Sequence, residues 1–393
     1  MDILYHFRTR GNGGEGVHIA GIAKALERMG NAVHFSSPTG ADPRKSAGVT
    51  PFSGKKKKPG IAVRIVDSCP GFLFEFFEIG YNFAAFRRNR RMLNEGSYDL
   101  IYERHAFFLF ATSFLARKRG IPLIVEVNEL VNDARLRKQP LCRGIAAWAD
   151  RKTFEQAACI VVVSPHLKRR IVETGVPEEK VLVLPNAIDP NDYAEPADPS
   201  AAVKKWQLEG QIVLGFVGWL VHWHNLEGMV DVFARLCKEH DNLRLMFVGD
   251  GLLQDELQER ADSAGVGEKL LFVGAVPHPE VPAYVRAMDV AIIPNSNAYR
   301  SPLKLFEYMG QARATLSPRT EPIEMVIEHE KNGLLFDLED PEEGMYCELR
   351  KLVESEELRS QLGENARADC LEKHTWDSNA LATLVHGGVV PAD

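Results

Sequence analysis

Three stretches of the chain gather residue types that can bind phosphate and sugar groups. The first is Ser301-Pro302-Leu303-Lys304-Leu305-Phe306-Glu307-Tyr308-Met309. It reads as a loop that enters a helix. The free N–H groups of a helix start, joined to the full positive charge of Lys304, suit a diphosphate. Glu307 lies one turn further on the same face and can accept both hydroxyls of a ribose diol. The same two residues also fit a plain surface ion pair, which adds only a few tenths of a kcal/mol. The second stretch is Gly11-Asn12-Gly13-Gly14-Glu15-Gly16, between a strand and a helix. Glycine lets a backbone approach phosphate closely, and Gly11, Gly13 and Gly16 match the dinucleotide pattern G-x-G-x-x-G. That pattern also wants an acid at the end of the next strand, where this chain has Ser36, Ser37 and Pro38. A tight turn without a ligand remains the alternative. The third is a pair of strand ends, Glu103-Arg104-His105 and Glu126-Val127-Asn128-Glu129. Charges at such ends are candidates for a site, and structural ion pairs are their alternative.

The elements that position these residues alternate strand and helix twice. Strands are predicted at 2–7, 32–37, 99–103, 122–127, 159–164 and 180–185, then at 212–218, 243–249, 269–274, 290–294 and 314–317. Short Val- and Ile-rich runs separated by helical stretches predict parallel sheets covered on both faces. Residues 186–205, rich in proline and acid, read as a linker. The fold class expected is α/β, with two doubly wound Rossmann-like domains facing a cleft. The N-terminal acceptor domain is drawn at 1–190 and the C-terminal donor domain at 205–370. A helix in 371–393 returns, on this reading, to the N-terminal domain.

Composition narrows the class. The 393 residues are 45% hydrophobic and 26% charged, with a net charge of −7, which gives no nucleic-acid signal. No apolar run reaches the roughly 18 residues of a membrane span. The order of charge and apolar residues at the N-terminus is not that of a signal peptide, so a cytoplasmic protein is expected. Cys69, Cys142, Cys159, Cys237, Cys347 and Cys370 lack metal-ligand spacing. No acidic metal site is expected either. Two basic segments stand apart. Lys55 to Lys58 reads as a solvated loop. Residues 71–93 couple Phe72, Phe74, Phe76, Phe77, Tyr81, Phe83 and Phe86 to Arg87, Arg88, Arg90 and Arg91. Such a helix either lies on an anionic membrane surface or turns its aromatics into the core.

Several motifs in order resemble one family. GGEGVHIAGIAKALERMGNAVHF, VSPHLKRRIVETGVPEEKVLVLPNAID and the run 249–295 are similar to the retaining glycosyltransferases of family 4, which have the GT-B fold. The likeness covers about 1–40 and 99–376. It implies transfer of a sugar from a nucleoside diphosphate sugar to a hydroxyl acceptor, with retention, no cofactor and no obligatory metal. It implies catalytic roles for Gly16, His224 and Lys304. It implies donor contacts from Gly14, Trp219, Val276, Leu303 and Glu307, and acceptor contacts from His18, Glu103, His105, Glu126 and Asn128. The chain departs from the family pattern at four places. Tyr299 stands for the first of two glutamates, and Pro302 for a glycine. Trp219 and His224 replace the arginine and lysine that grip the diphosphate. His224 is expected to carry charge once a diphosphate raises its pKa, so donor affinity should fall with rising pH. The expected partners are a nucleotide sugar and a hydroxyl acceptor that is lipid-linked, with peripheral membrane contact through 71–93 and no nucleic acid. Two other readings stand beside this one: a non-catalytic nucleotide-sugar-binding relative, suggested by Trp219 and Tyr299, and a nicotinamide-dependent oxidoreductase, suggested by the glycine pattern.

Overall fold

The computed structural model describes residues 1–9, 11, 13–46, 71–131 and 140–391. Lys55 to Lys58 lie outside the described residues. The chain forms two compact units. One gathers the described residues up to Pro185 together with those from Asp377 onward, and the other is Asn186–Trp376.

In the first unit, β1 (Asp2–His6), β2 (Ala32–Ser36), β3 (Leu100–Arg104), β4 (Leu123–Val127), β5 (Cys159–Val162) and β6 (Val181–Val183) form one parallel sheet in the order β2-β1-β3-β4-β5-β6. Every residue of β4 is buried, as expected of a strand covered on both faces. Helix starts follow local chemistry. In the helix Pro165–Val172, Pro165 fills the first position and the Ser164 hydroxyl accepts from the Leu167 N–H at 3.3 Å.

The second unit repeats the scheme with β7 (Ile212–Val217), β8 (Leu243–Val248), β9 (Leu270–Gly274), β10 (Val290–Ile292), β11 (Ala314–Pro318) and β12 (Leu334–Phe336). They form a parallel sheet ordered β12-β11-β10-β7-β8-β9. Counted within the unit, this is the doubly wound order in which winding reverses between the first and fourth strands, β7 and β10. In the first unit the reversal falls between β1 and β3. In such sheets ligands bind at the carboxyl ends of the strands flanking the reversal.

One expectation is corrected here, and one strand is added. The strand β12 was not foreseen. Residues 186–205 are not a loose linker: Ile188 and Tyr193 are buried and pack against Gly310, and Ser200–Trp206 is a helix. Arg367 binds the carbonyls of Tyr193 and Ala194 at 2.8 and 2.7 Å. Their apolar side chains outweigh a composition that resembles linkers. The end of the chain carries two helices, Glu356–Lys373 and Trp376–His386. Asp377 pairs with Arg28 at 2.7 Å and the Asn379 amide donates to the Pro185 carbonyl at 2.8 Å, both within the first unit.

Candidate functional site

In the second unit, three glycines end adjacent strands: Gly218 after β7, Gly249 after β8 and Gly274 at the end of β9. Gly218 donates to the Val248 carbonyl at 2.9 Å and Gly249 to the Gly274 carbonyl at 3.0 Å. Gly218 and Gly249 hold φ of +142° and +143°, a region that L side chains rarely enter. A Cβ on Gly249 would collide with the Gly218 carbonyl oxygen, and one on Gly218 would stand 2.7 Å from the Lys304 ammonium. The result is a bare backbone shelf at the point where winding reverses.

The helix Leu303–Gly310 is locked over that shelf. Asn186 donates its backbone N–H to the Ser301 hydroxyl at 2.9 Å and its amide to the Ser301 carbonyl at 2.6 Å. The Val217 N–H donates to the Tyr308 hydroxyl at 2.8 Å, which ties the helix to β7. The N–H groups of the first turn have no partners within a helix. Lys304 folds back across the Phe216 ring, its Nζ 3.8 Å from the centroid. That nitrogen is buried and has no hydrogen-bond partner. Burial pushes its pKa down to about 7, with Glu307 partly offsetting the effect. The surface ion-pair alternative is thereby excluded, because Lys304 is not on the surface and Glu307 Oε1 pairs instead with His278 Nε2 at 2.8 Å. His278 comes from the loop after β9. Val276, in the same loop, is partly buried against the core of the unit.

His224 is buried edge-on to Phe216, centroids 4.9 Å apart, and its Nδ1 has no partner. Burial first, then the nearby Lys304 and Arg300 charges, hold its pKa down at about 2. It is a neutral imidazole here and does not supply charge. The sequence reading passed over Arg300, whose guanidinium lies 5.6 Å from the Trp223 ring and 5.4 Å from the Tyr299 ring. Its place next to Ser301 was the available signal. Trp219 is 64% exposed.

In the first unit the glycine loop follows β1. Gly16 packs on the Gly11 carbonyl, where a Cβ would collide with the backbone. Gly13 and Gly14 are exposed at the first turn of the helix Gly13–Arg28. At the end of β2 the Ser36 hydroxyl donates to Asn89 at 2.5 Å, and the residues there, Ser36 and Ser37, carry no carboxylate to hold a nicotinamide ribose. His18, one turn further along the helix, pairs with Glu126 at 2.9 Å. Glu126 also binds Arg104 and accepts from Asn128 at 2.6 Å. Burial alone would raise its pKa. The His18 imidazole, the Arg104 guanidinium and the hydrogen bonds outweigh that and hold it at about 2.

The strand-end acids are therefore interior groups. Glu103 is fully buried and bonds His6 Nδ1 at 2.6 Å, and His105 Nε2 bonds Asp150 at 2.8 Å. Glu103, His105 and Glu126 each hold a partner within the unit, while Glu103 Oε1 and His105 Nδ1 are buried with no hydrogen-bond partner. Asn128 is part-exposed beside them.

For metals, two groups of three ligand atoms lie within 4.8 Å among the described residues: His222, Glu227, Glu256 and Glu239, His240, Glu354. Exposed acidic groups of this kind are ordinary surface features. Among the described residues no helix is long and apolar enough to cross a membrane.

Comparison with known proteins matches this arrangement. Residues 12–192 match the model of Glycosyltransferase Family 4, and residues 200–369 match that of Glycosyl transferases group 1. The chain is 29% identical over 199 residues to 2-deoxystreptamine glucosyltransferase of Streptomyces kanamyceticus, covering 48% of this chain and 50% of the relative. It is 26% identical over 231 residues to the lipopolysaccharide core biosynthesis glycosyltransferase LpsD of Rhizobium meliloti, covering 57% and 63%. The chain thus spans about half to two thirds of the length of these curated relatives. In fold it is similar to Anabaena HepE, crystallised with UDP and glucose, at 16% identity and a TM-score of 0.65, covering 98% of both chains. The two matched models, one over each unit, and the two six-stranded parallel sheets agree: the chain belongs to the family 4 type of GT-B glycosyltransferases.

Proposed function

We propose that the chain moves a sugar from a nucleoside diphosphate sugar to a hydroxyl acceptor, with retention at the anomeric carbon. The observation that carries this reading is Lys304, a buried amine without an acceptor, at the head of a helix and beside the glycine shelf. A buried unpaired ammonium is costly, and an anion at that point would relieve it. The shelf lets phosphate oxygens approach the backbone. Leu303 and Lys304 offer first-turn N–H groups, and Lys304 offers its charge. Glu307, steadied by His278, holds the ribose hydroxyls. Neutral His224 packs beside the phosphates and orients them through a hydrogen bond.

The step is a front-side displacement. The acceptor oxygen bonds to the anomeric carbon as the bond from that carbon to the phosphate oxygen breaks. The acceptor proton passes to the departing phosphate oxygen, so atoms and charge balance without a protein nucleophile. The protein lowers the barrier by stabilising the departing diphosphate and by placing the acceptor. Lys304 supplies the cation, so no divalent ion is required. By the likeness to the lipopolysaccharide relative, the acceptor is lipid-linked, in polysaccharide or glycolipid synthesis at the inner face of a membrane.

The exposed Trp219, where the family carries a cation, favours a second reading, binding without turnover. One experiment separates the two. A thermal-shift panel of nucleotide sugars picks the donor, since a ligand at 100 times its dissociation constant stabilises by about 2.7 kcal/mol. Release of the free nucleotide from that donor, with EDTA present, then supports transfer or hydrolysis without metal. Binding without release supports the second reading, and no binding by any nucleotide sugar overturns both.

A further inference from the structure

The helix Gly71–Glu95 in the first unit turns large apolar side chains away from its own core. Its inward stripe is Glu75, Asn82, Ala85, Asn89 and Leu93, all buried. The outward stripe carries Leu73, Phe76, Phe77 and Phe83, with Phe76 69% and Phe83 68% exposed. Two turns on, the stripe becomes basic. Arg88 donates to the Tyr81 hydroxyl at 3.3 Å, while Arg87, Arg90 and Arg91 are exposed, Arg91 paired with Glu95. Along this end runs a shallow groove of about 820 Å³ that includes Phe83, Phe86, Arg87 and Arg90 in its lining.

Neighbouring elements extend the face. The Phe114 ring meets Phe86 at 6.2 Å and is 54% exposed, with Arg117 and Lys118 exposed one turn on. On the other side the Glu75 carboxylate accepts from the backbone N–H of Leu141 and of Cys142. The segment held by that contact exposes Leu141, Ile145 and Trp148.

We propose that this face docks on an anionic lipid surface, with Phe76, Phe77, Phe83 and Leu141 entering the interface and Arg87, Arg90, Arg117 and Lys118 meeting headgroup phosphates. The argument is the pairing of two chemistries on one side of one unit. A stripe of exposed aromatic side chains bordered by cations is matched by the acyl boundary and the phosphates of a leaflet, and aromatic side chains favour that boundary. A dry interface with a second protein would gain the apolar contact but would leave four cations to be neutralised. The face deepens the proposed reaction only by placing the acceptor at a lipid surface, and donor binding does not depend on it.

The test uses the full chain, phosphatidylcholine vesicles with and without phosphatidylglycerol, and two salt concentrations. The expected result is sedimentation with anionic vesicles, weakened by salt. Each basic residue near such a surface accounts for about a fivefold change, so R87Q/R90Q binds about 30-fold more weakly. F76S/F77S/F83S, altered only at exposed positions, loses vesicle binding while its melting temperature and its affinity for UDP-glucose stay unchanged. Absence of binding by every nucleotide sugar of the panel in the wild type would fail the proposed reaction and leave this result standing. Equal binding to neutral vesicles, or unchanged binding by both variants, overturns the proposal. So does a wild-type dimer that the phenylalanine variant dissociates, with no vesicle binding, because the face is then an interface between copies.

Discussion

Lys304→Met separates what the lysine does for donor binding from what it does for the fold, because the two effects have opposite signs. Methionine keeps the length and the contact with Phe216. In the folded chain the amine titrates near 7, against an ordinary value of 10.5. The folded state thus holds its proton less tightly than the unfolded state does. Stability tied to this group is full above about pH 10.5 and is lost as pH falls to about 7. At about 1.4 kcal/mol per unit, the ceiling on that loss is on the order of 5 kcal/mol. The variant escapes it. Urea unfolding at pH 7 should show Lys304→Met to be more stable than wild type, with the gap closing toward pH 10. Binding should move the other way. A hydrogen bond to a charged group contributes about 1.5–3 kcal/mol, so the variant should bind UDP-glucose about 10- to 150-fold more weakly by calorimetry at pH 7. Wild-type affinity for UDP-glucose, whose diphosphate keeps its charge over this range, should decline as pH rises above 7, and the variant's should not. A variant less stable than wild type at pH 7, with undiminished affinity, would refute the reasoning.

Three further outcomes are expected. Glu307→Gln keeps an acceptor for His278 and so keeps the fold. Its UDP affinity should drop about 10- to 150-fold by calorimetry, and an unchanged value would remove Glu307 from the ribose site. Gly249→Ala forces a side chain into a left-handed φ and against the Gly218 carbonyl. It should cost about 2–4 kcal/mol in urea unfolding and also weaken UDP-glucose binding. Glu126→Gln strips a buried charge from Arg104 and should cost about 3–5 kcal/mol at pH 7. Because Glu126 titrates near 2 when folded, its contribution is present above its ordinary value of 4.5 and is lost as pH falls through 2. Wild type should therefore lose about 3 kcal/mol over that window that the variant never had, which acid-dependent unfolding would register.

What the sequence disclosed follows from which forces act locally. The parallel strands were readable because strands buried on both faces must be continuously apolar, and observed ends differ from expected ones by one or two residues. β12 escaped because its three residues carry too little pattern to separate from a helix segment. Residues 186–205 misled because linker composition is a property of most of their side chains, while Ile188 and Tyr193 decide where they go. The site divided in the same way. Lys304, Leu303, Glu307 and the glycine loop were visible as types at spacings. The neutral state of His224 was not, since it depends on Phe216, Lys304 and Arg300 surrounding it. Nor was the interior position of Glu103 and Glu126, whose partners His6 and His18 are about 100 residues away in sequence.

The return of residues after Asp377 to the first unit has a consequence for how the chain acquires its structure during synthesis. Among the described residues the second unit is the single stretch Asn186–Trp376, so all of its strands are available once Trp376 has left the ribosome. The first unit has its whole sheet much earlier but lacks the segment that carries Asp377 and Asn379, which bind Arg28 and Pro185. The usual order, in which the earlier domain is complete first, is thereby inverted. For the time taken to make nearly 200 residues, the first unit stands with that surface uncovered. This interval exposes it to chaperones and to aggregation. Expression of residues 1–185 alone would make the interval permanent.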